Sequence, residues 1–182
     1  MKSGKPLRDF RTYGRLEAFN ALLIPAIATY YGWPGDAAGG VVLTLANLAV
    51  VIGLVVGAVY WLALAARLKG DPAPTRRALI LADRAPRPLL AVVVLSVIAD
   101  TWLIAARGFT LPTGIAATVT LLAALEYVNY YHVQLQHFDN LADWRKLLHG
   151  RGFRRAHMAG DLAAWRLGRR VTRPPATSPP SL

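Results

Sequence analysis

Four stretches of roughly 20 mostly apolar residues dominate the sequence, which is about the length a helix needs to cross hydrocarbon at 1.5 Å per residue. They run from about Glu17 to Trp33, Val41 to Ala66, Pro88 to Ala106 and Gly114 to Gln136. Hydrophobic residues make up 54% of the 182 and charged residues 17%, a balance too apolar for a water-soluble domain of this size. The first stretch is the weakest, being short, broken by Pro25 and marked by the polar Glu17 and Asn20. The connections from Pro34 to Gly40 and from Arg107 to Thr113 are too short to hold a domain, so neighbouring helices must run antiparallel. The expected fold is an all-α polytopic transmembrane bundle of four antiparallel helices, with amphipathic helices following it.

Positive charge orients this bundle, because Lys and Arg near span ends stay on the cytoplasmic side. The first fifteen residues carry Lys2, Lys5, Arg8, Arg11 and Arg15, and no small-residue cleavage pattern follows them, so the first span reads as retained. The middle loop carries Arg67, Lys69, Arg76, Arg77, Arg84 and Arg87. The C-terminal region carries Arg145, Lys146, Arg151, Arg154, Arg155, Arg166, Arg169, Arg170 and Arg173. Arg107 is left alone on the other side, which requires an even number of spans with both termini cytoplasmic. Aromatic residues fit the same frame, with Tyr30, Tyr31, Trp33 and Trp102 at the outer boundary and Tyr60, Trp61 and Tyr131 at the inner one.

The chain therefore divides into a basic arm (1–15), the bundle (16–138), a basic amphipathic region (139–170) and a Pro- and Ser-rich tail (171–182) expected to be disordered. In the third part, Leu141, Trp144, Leu147 and Leu148 share one helical face, capped by Asp139 or Asn140 and stopped at Gly150. A second segment, from about Asp161 to Arg170 with Leu162 and Trp165, repeats the pattern. Both are expected to lie on the anionic inner leaflet.

Function, if legible anywhere, lies in the few polar groups inside the spans, since an ionisable side chain at membrane depth must be sheltered by protein or water. Counting inward from the outer span ends puts Asp100 and Asn47 at about 9 Å, a candidate outer polar layer. Glu126 and Asn129 fall about 18 to 22 Å in, level with Asn20, with His132 and Glu17 a turn nearer the cytoplasm. On the fourth span, Glu126, Asn129, Tyr130, Val133, His137 and Asn140 share a face, so a polar stripe descends to the inner surface. Gly53 and Gly57 form a small-residue notch in the second span, suited to close helix packing.

Several chemistries are excluded or poorly provided for. The chain has no Cys, which removes disulfides, thiolate metal sites and cysteine nucleophiles. A single His among amides is a poor ligand set for a transition metal, and no phosphate loop or paired-His zinc helix is present, so no metal or cofactor is expected. Nucleic-acid binding is not expected either, because membrane topology already accounts for the net charge of +11.

At LEYVNYYHVQL, from Leu125 to Leu135, and at RDFRTYGRLEAFN near the start, the sequence resembles uncharacterised small multi-pass proteins of the bacterial inner membrane. The resemblance implies that compartment and carries no activity, cofactor or site with it. The residues favour an integral membrane protein that binds or moves a small ion or polar solute. Glu126, Asn129, His132, Asn20 and Glu17 would form its inner site and Asp100 with Asn47 its outer one, and movement would call for a homo-oligomer. The alternatives are a non-catalytic assembly subunit and a lipid-modifying enzyme with His132 as base and Glu126 as its electrostatic partner.

Overall fold

The computed structural model describes residues 4–133, 135 and 155–168. Among these the chain is all-α, with six helices: α1 (Gly4–Gly32), α2 (Ala37–Arg67), α3 (Ala73–Arg84), α4 (Pro86–Arg107), α5 (Leu111–Tyr131) and α6 (His157–Arg166). The helix ends obey local chemistry. Gly35 turns the chain with φ +76°, and Asp36 then caps α2 by accepting a 2.9 Å bond from the Gly39 amide. Pro86 opens α4 where its missing N–H costs nothing, and Gly108, at φ +79°, closes it. Thr110 and Thr113 box the start of α5.

Helix α2 is the hub, packed against α1, α3, α4 and α5. Contacts fix the directions of the long helices. Gly14 meets Leu62 and Thr29 meets Asn47, so α1 and α2 are antiparallel; Gly53 lies on Glu126 and Gly57 on Tyr130, so α2 and α5 are parallel. Arg107 reaches Asp36, so α4 runs against α2. The outer half of the core is built from small and branched side chains, among them Ala46, Ala49, Val50 and Ala123, none with measurable exposure. Such residues let backbones approach closely where apolar burial cannot drive association.

Among the described residues three helices, not the expected four, are long and apolar enough to cross a membrane: α2, α4 and α5. Helix α1 has the length, 29 residues, but Arg8, Asp9, Arg11, Arg15, Glu17 and Asn20 lower its mean hydropathy. The basic arm expected at 1–15 is, from Gly4 on, the first half of this helix. In the most apolar stretch of α2, 56% of residues are buried in protein, against 28% in α4 and α5. The outward faces of α4 and α5 thus need apolar surroundings that the described residues do not supply.

Other boundaries differ for physical reasons. Helix α5 stops at Tyr131 instead of reaching Gln136, because the Asn129 side chain accepts the Leu135 amide at 2.7 Å and draws the backbone out of the helix after His132. The middle loop contains a helix, α3, which buries Ala78, Leu79 and Ala82 and leaves Arg76, Arg77 and Arg84 outside. The second amphipathic segment begins earlier than expected, as α6, and does not offer its apolar face to lipid. Met158 and Leu162 are buried in a protein cluster with Tyr60, Leu64 and Leu79. The segment around Leu141–Gly150, His137, Asn140 and the tail 171–182 lie outside the described residues.

Candidate functional site

Two carboxylates from different helices meet in the inner half of the bundle. Glu17 on α1 and Glu126 on α5 each lie fifteen residues from their outer helix ends, about 22 Å along the axis. Glu17 is only 5% exposed, and its Oε1 accepts a 3.0 Å bond from the Trp61 indole of α2. Opposite it stands Tyr130, 2% exposed, whose hydroxyl lies against both the Glu17 and Glu126 carboxyl groups.

Glycine makes this convergence possible. A methyl group at Gly57 would collide with Glu17 Oε2 and with the Tyr130 hydroxyl, and one at Gly53 would lie 3.3 Å from Glu126 Cβ. The notch that sequence reading assigned to bare helix packing is therefore filled by the acidic cluster. Asn129 is buried beside it, its Oδ1 accepting the Leu135 amide and its NH₂ turned to the Glu126 carboxyl group.

An aromatic layer closes the cluster on the inner side. Trp61 stacks on Phe10 at 5.4 Å and touches Tyr13, Tyr60 and His157 at centroid distances of 5.8, 5.5 and 6.3 Å. Beneath it α6 is clamped by polar contacts. Tyr60 donates to Asp161 at 3.1 Å, Arg67 pairs with Asp161 at 3.5 Å, and Arg166 pairs with Asp83 at 2.7 Å. Burial pushes the Asp161 carboxyl above the usual aspartate range, with Arg67 and Tyr60 opposing.

The other candidates stay apart. His132 caps α5 in an exposed position with its ring 5.4 Å from Tyr127, and Asn20 is half-buried with no hydrogen bond among the described residues. Asn47 donates to Thr29 at 3.2 Å and does not meet Asp100. Asp100 instead faces Thr120 of α5, and both its carboxyl oxygens are shielded without a closed hydrogen bond. At the outer surface Arg107 and Asp36 form an exposed 2.6 Å ion pair that, with the Gly39 amide, holds the Asp36 carboxyl below its usual range. An apolar groove of about 750 Å³ between α1 and α5, lined by Ile24, Ile27, Phe109 and Ile115, holds none of these residues.

Tyr130 and Trp61 are the members that sequence reasoning missed. Tyr130 sits one turn beyond Glu126 on the same stripe, a visible signal, whereas Trp61 looks like an ordinary interfacial aromatic. Comparison with known protein families, curated proteins and solved structures finds no match.

Proposed function

We propose that the chain is an integral protein of the bacterial inner membrane, and that the Glu17–Glu126–Tyr130 cluster binds or moves a small ion or polar solute. All four long helices cross the bilayer in this reading. Support for α1 as the fourth span comes from its seat along α2 and α5 and from its outward residues Phe19, Leu22, Ile27 and Tyr30, which are apolar and widely exposed. Both termini are placed in the cytoplasm, on the anionic leaflet. Among the described residues, the bundle end that carries Arg8, Arg11, Arg15, Arg67 and Arg87 is rich in cations, and the opposite end has Arg107 alone, already paired with Asp36.

One observation carries the functional reading: acids from separate helices converge on one buried hydroxyl at a glycine notch. Packing alone does not call for a second carboxylate at membrane depth, where each charged group is expensive. The core around Ala46, Ala49 and Ala123 is filled, so movement past it requires helix opening or assembly of several copies. The test is flux in proteoliposomes of purified protein, read with pH- and cation-sensitive dyes. Glu126→Gln is expected to abolish flux while leaving a folded, monodisperse protein; unchanged flux would remove the proposal.

A further inference from the structure

We infer that the occupant of this site is a proton, one per carboxylate pair, shared by Glu17 and Glu126 through the Tyr130 hydroxyl. The inference rests on the reading of the cluster as the ion site and names the ion. Three arguments lead to it.

Space is the first. The gap facing Gly57 does not accept even a methyl group without striking Glu17 Oε2 and the Tyr130 hydroxyl, so no ion retaining a water of hydration fits there. Ligand count is the second. Glu17 Oε1 is taken by Trp61 and Asn129 Oδ1 by Leu135, which leaves too few free oxygens around one point to replace the six or so that a hard cation takes. The third is charge. Two carboxylates held against one buried hydroxyl do not both ionise, because each raises the cost of charging the other.

Donors reach both acids. Glu17 accepts from the Trp61 N–H and Glu126 from the Asn129 amide, and the Tyr130 hydroxyl lies against both carboxyl groups, so the phenol links the two acids that share the proton. Transfer balances through the phenol: Tyr130 gives its hydroxyl proton to Glu17 as it accepts the Glu126 proton, moving one proton from α5 to α1. The titratable groups around the pair are Tyr13 on α1, Tyr60 on α2 and His157 on α6, all against Trp61, with the Asp161–Arg67 pair beyond.

Infrared spectroscopy of the full chain in lipid nanodiscs, near neutral pH in D₂O, tests this. A protonated carboxyl C=O band is expected in the parent chain, retained in Asp100→Asn, lost in Glu126→Gln and unchanged by added Na⁺ or K⁺. Tyr130→Phe, which keeps both acids, is expected to shift the band by removing its hydrogen-bond partner. A band that survives Glu126→Gln, one that ignores Tyr130→Phe, or one bleached by Na⁺ or K⁺ would overturn the proton assignment. Flux separates the two claims: loss of flux in Glu126→Gln without any such band defeats the proton and leaves the ion site standing, and the reverse pattern defeats the ion site alone.

Discussion

The inner and outer halves of the bundle both contain acids, yet they use them in opposite ways. Asp36 at the outer end is solvated, answered by Arg107, and tied to a helix cap. At the inner end the buried Glu17, bonded by an indole, and the half-buried Glu126 are brought together at a glycine gap. The difference is one of partners more than of residue type. A carboxylate at a helix end finds water and a guanidinium, whereas one at depth is accommodated only where a facing helix leaves room for it.

Substitution by alanine at two glycines gives the largest contrast. Gly57→Ala drives a methyl into Glu17 and Tyr130, and overpacking of this kind costs about 1–3 kcal/mol. In the outer half, Gly40→Ala meets only Trp33 at 3.8 Å and is expected to be neutral or slightly stabilising. Thermal unfolding in detergent compares them, and equal melting temperatures would erase the distinction between the halves. An effect of similar size before relaxation is expected at Trp61→Phe, which keeps the stacking on Phe10 but removes the donor to Glu17. Leaving that buried acceptor without its bond costs about 1–3 kcal/mol before relaxation. A melting temperature unchanged from the parent would show that the indole N–H does not support the carboxylate.

The smallest effects are in pH, with opposite signs at the two ends. Burial raises the Asp161 carboxyl in the folded chain, so its contribution is fully present below its unfolded value of about 4 and is lost as pH rises through the raised value. Acid therefore tightens the docking of α6. Asp36 is lowered by Arg107, so its contribution is present above about pH 4 and is lost as pH falls through the lowered value. Amide exchange across α6 and across the first turn of α2, followed over this range, is expected to move in opposite directions. Asp161→Asn should flatten the α6 response and leave the α2 response as it was.

Sequence reading recovered axial level far better than rotation about the axis. Counting residues from the span ends put Glu126 and Asn129 level with Asn20 and set Glu17 a turn nearer the cytoplasm; the structure brings Glu126, Asn129 and Glu17 together around Tyr130 and leaves Asn20 apart. The same counting paired Asn47 with Asp100, which share a depth but face different neighbours, Thr29 and Thr120. Apolar spans carry little amphipathic signal to say which face looks inward, so azimuth stays hidden until the packing partners are known. Three of the four expected spans match helices long and apolar enough to cross a membrane; α1 does not, because the charges of its first half dilute its apolar second half. The early stop of α5 was hidden because it depends on one side chain, Asn129, capturing a backbone amide six residues on. Helix α6 carried the pattern of a membrane-surface helix, and its apolar face went to protein because α2 and α3 together offer it Tyr60, Leu64 and Leu79.

Everything about the site depends on α1 running antiparallel beside α5 through the apolar layer, since only that arrangement brings Glu17 to Glu126. The sequence has no cysteine, so a Gly32→Cys, Ile115→Cys double variant would carry the only two thiols. A Cβ at Gly32 lies 3.2 Å from Ile115 Cβ, near the roughly 3.5–4.5 Å span that a disulfide bridges. Mild oxidation of this variant in intact membranes is predicted to give rapid, near-complete intramolecular cross-linking. Two thiols that both react with maleimide yet never join would place α1 away from α5 and contradict the site itself.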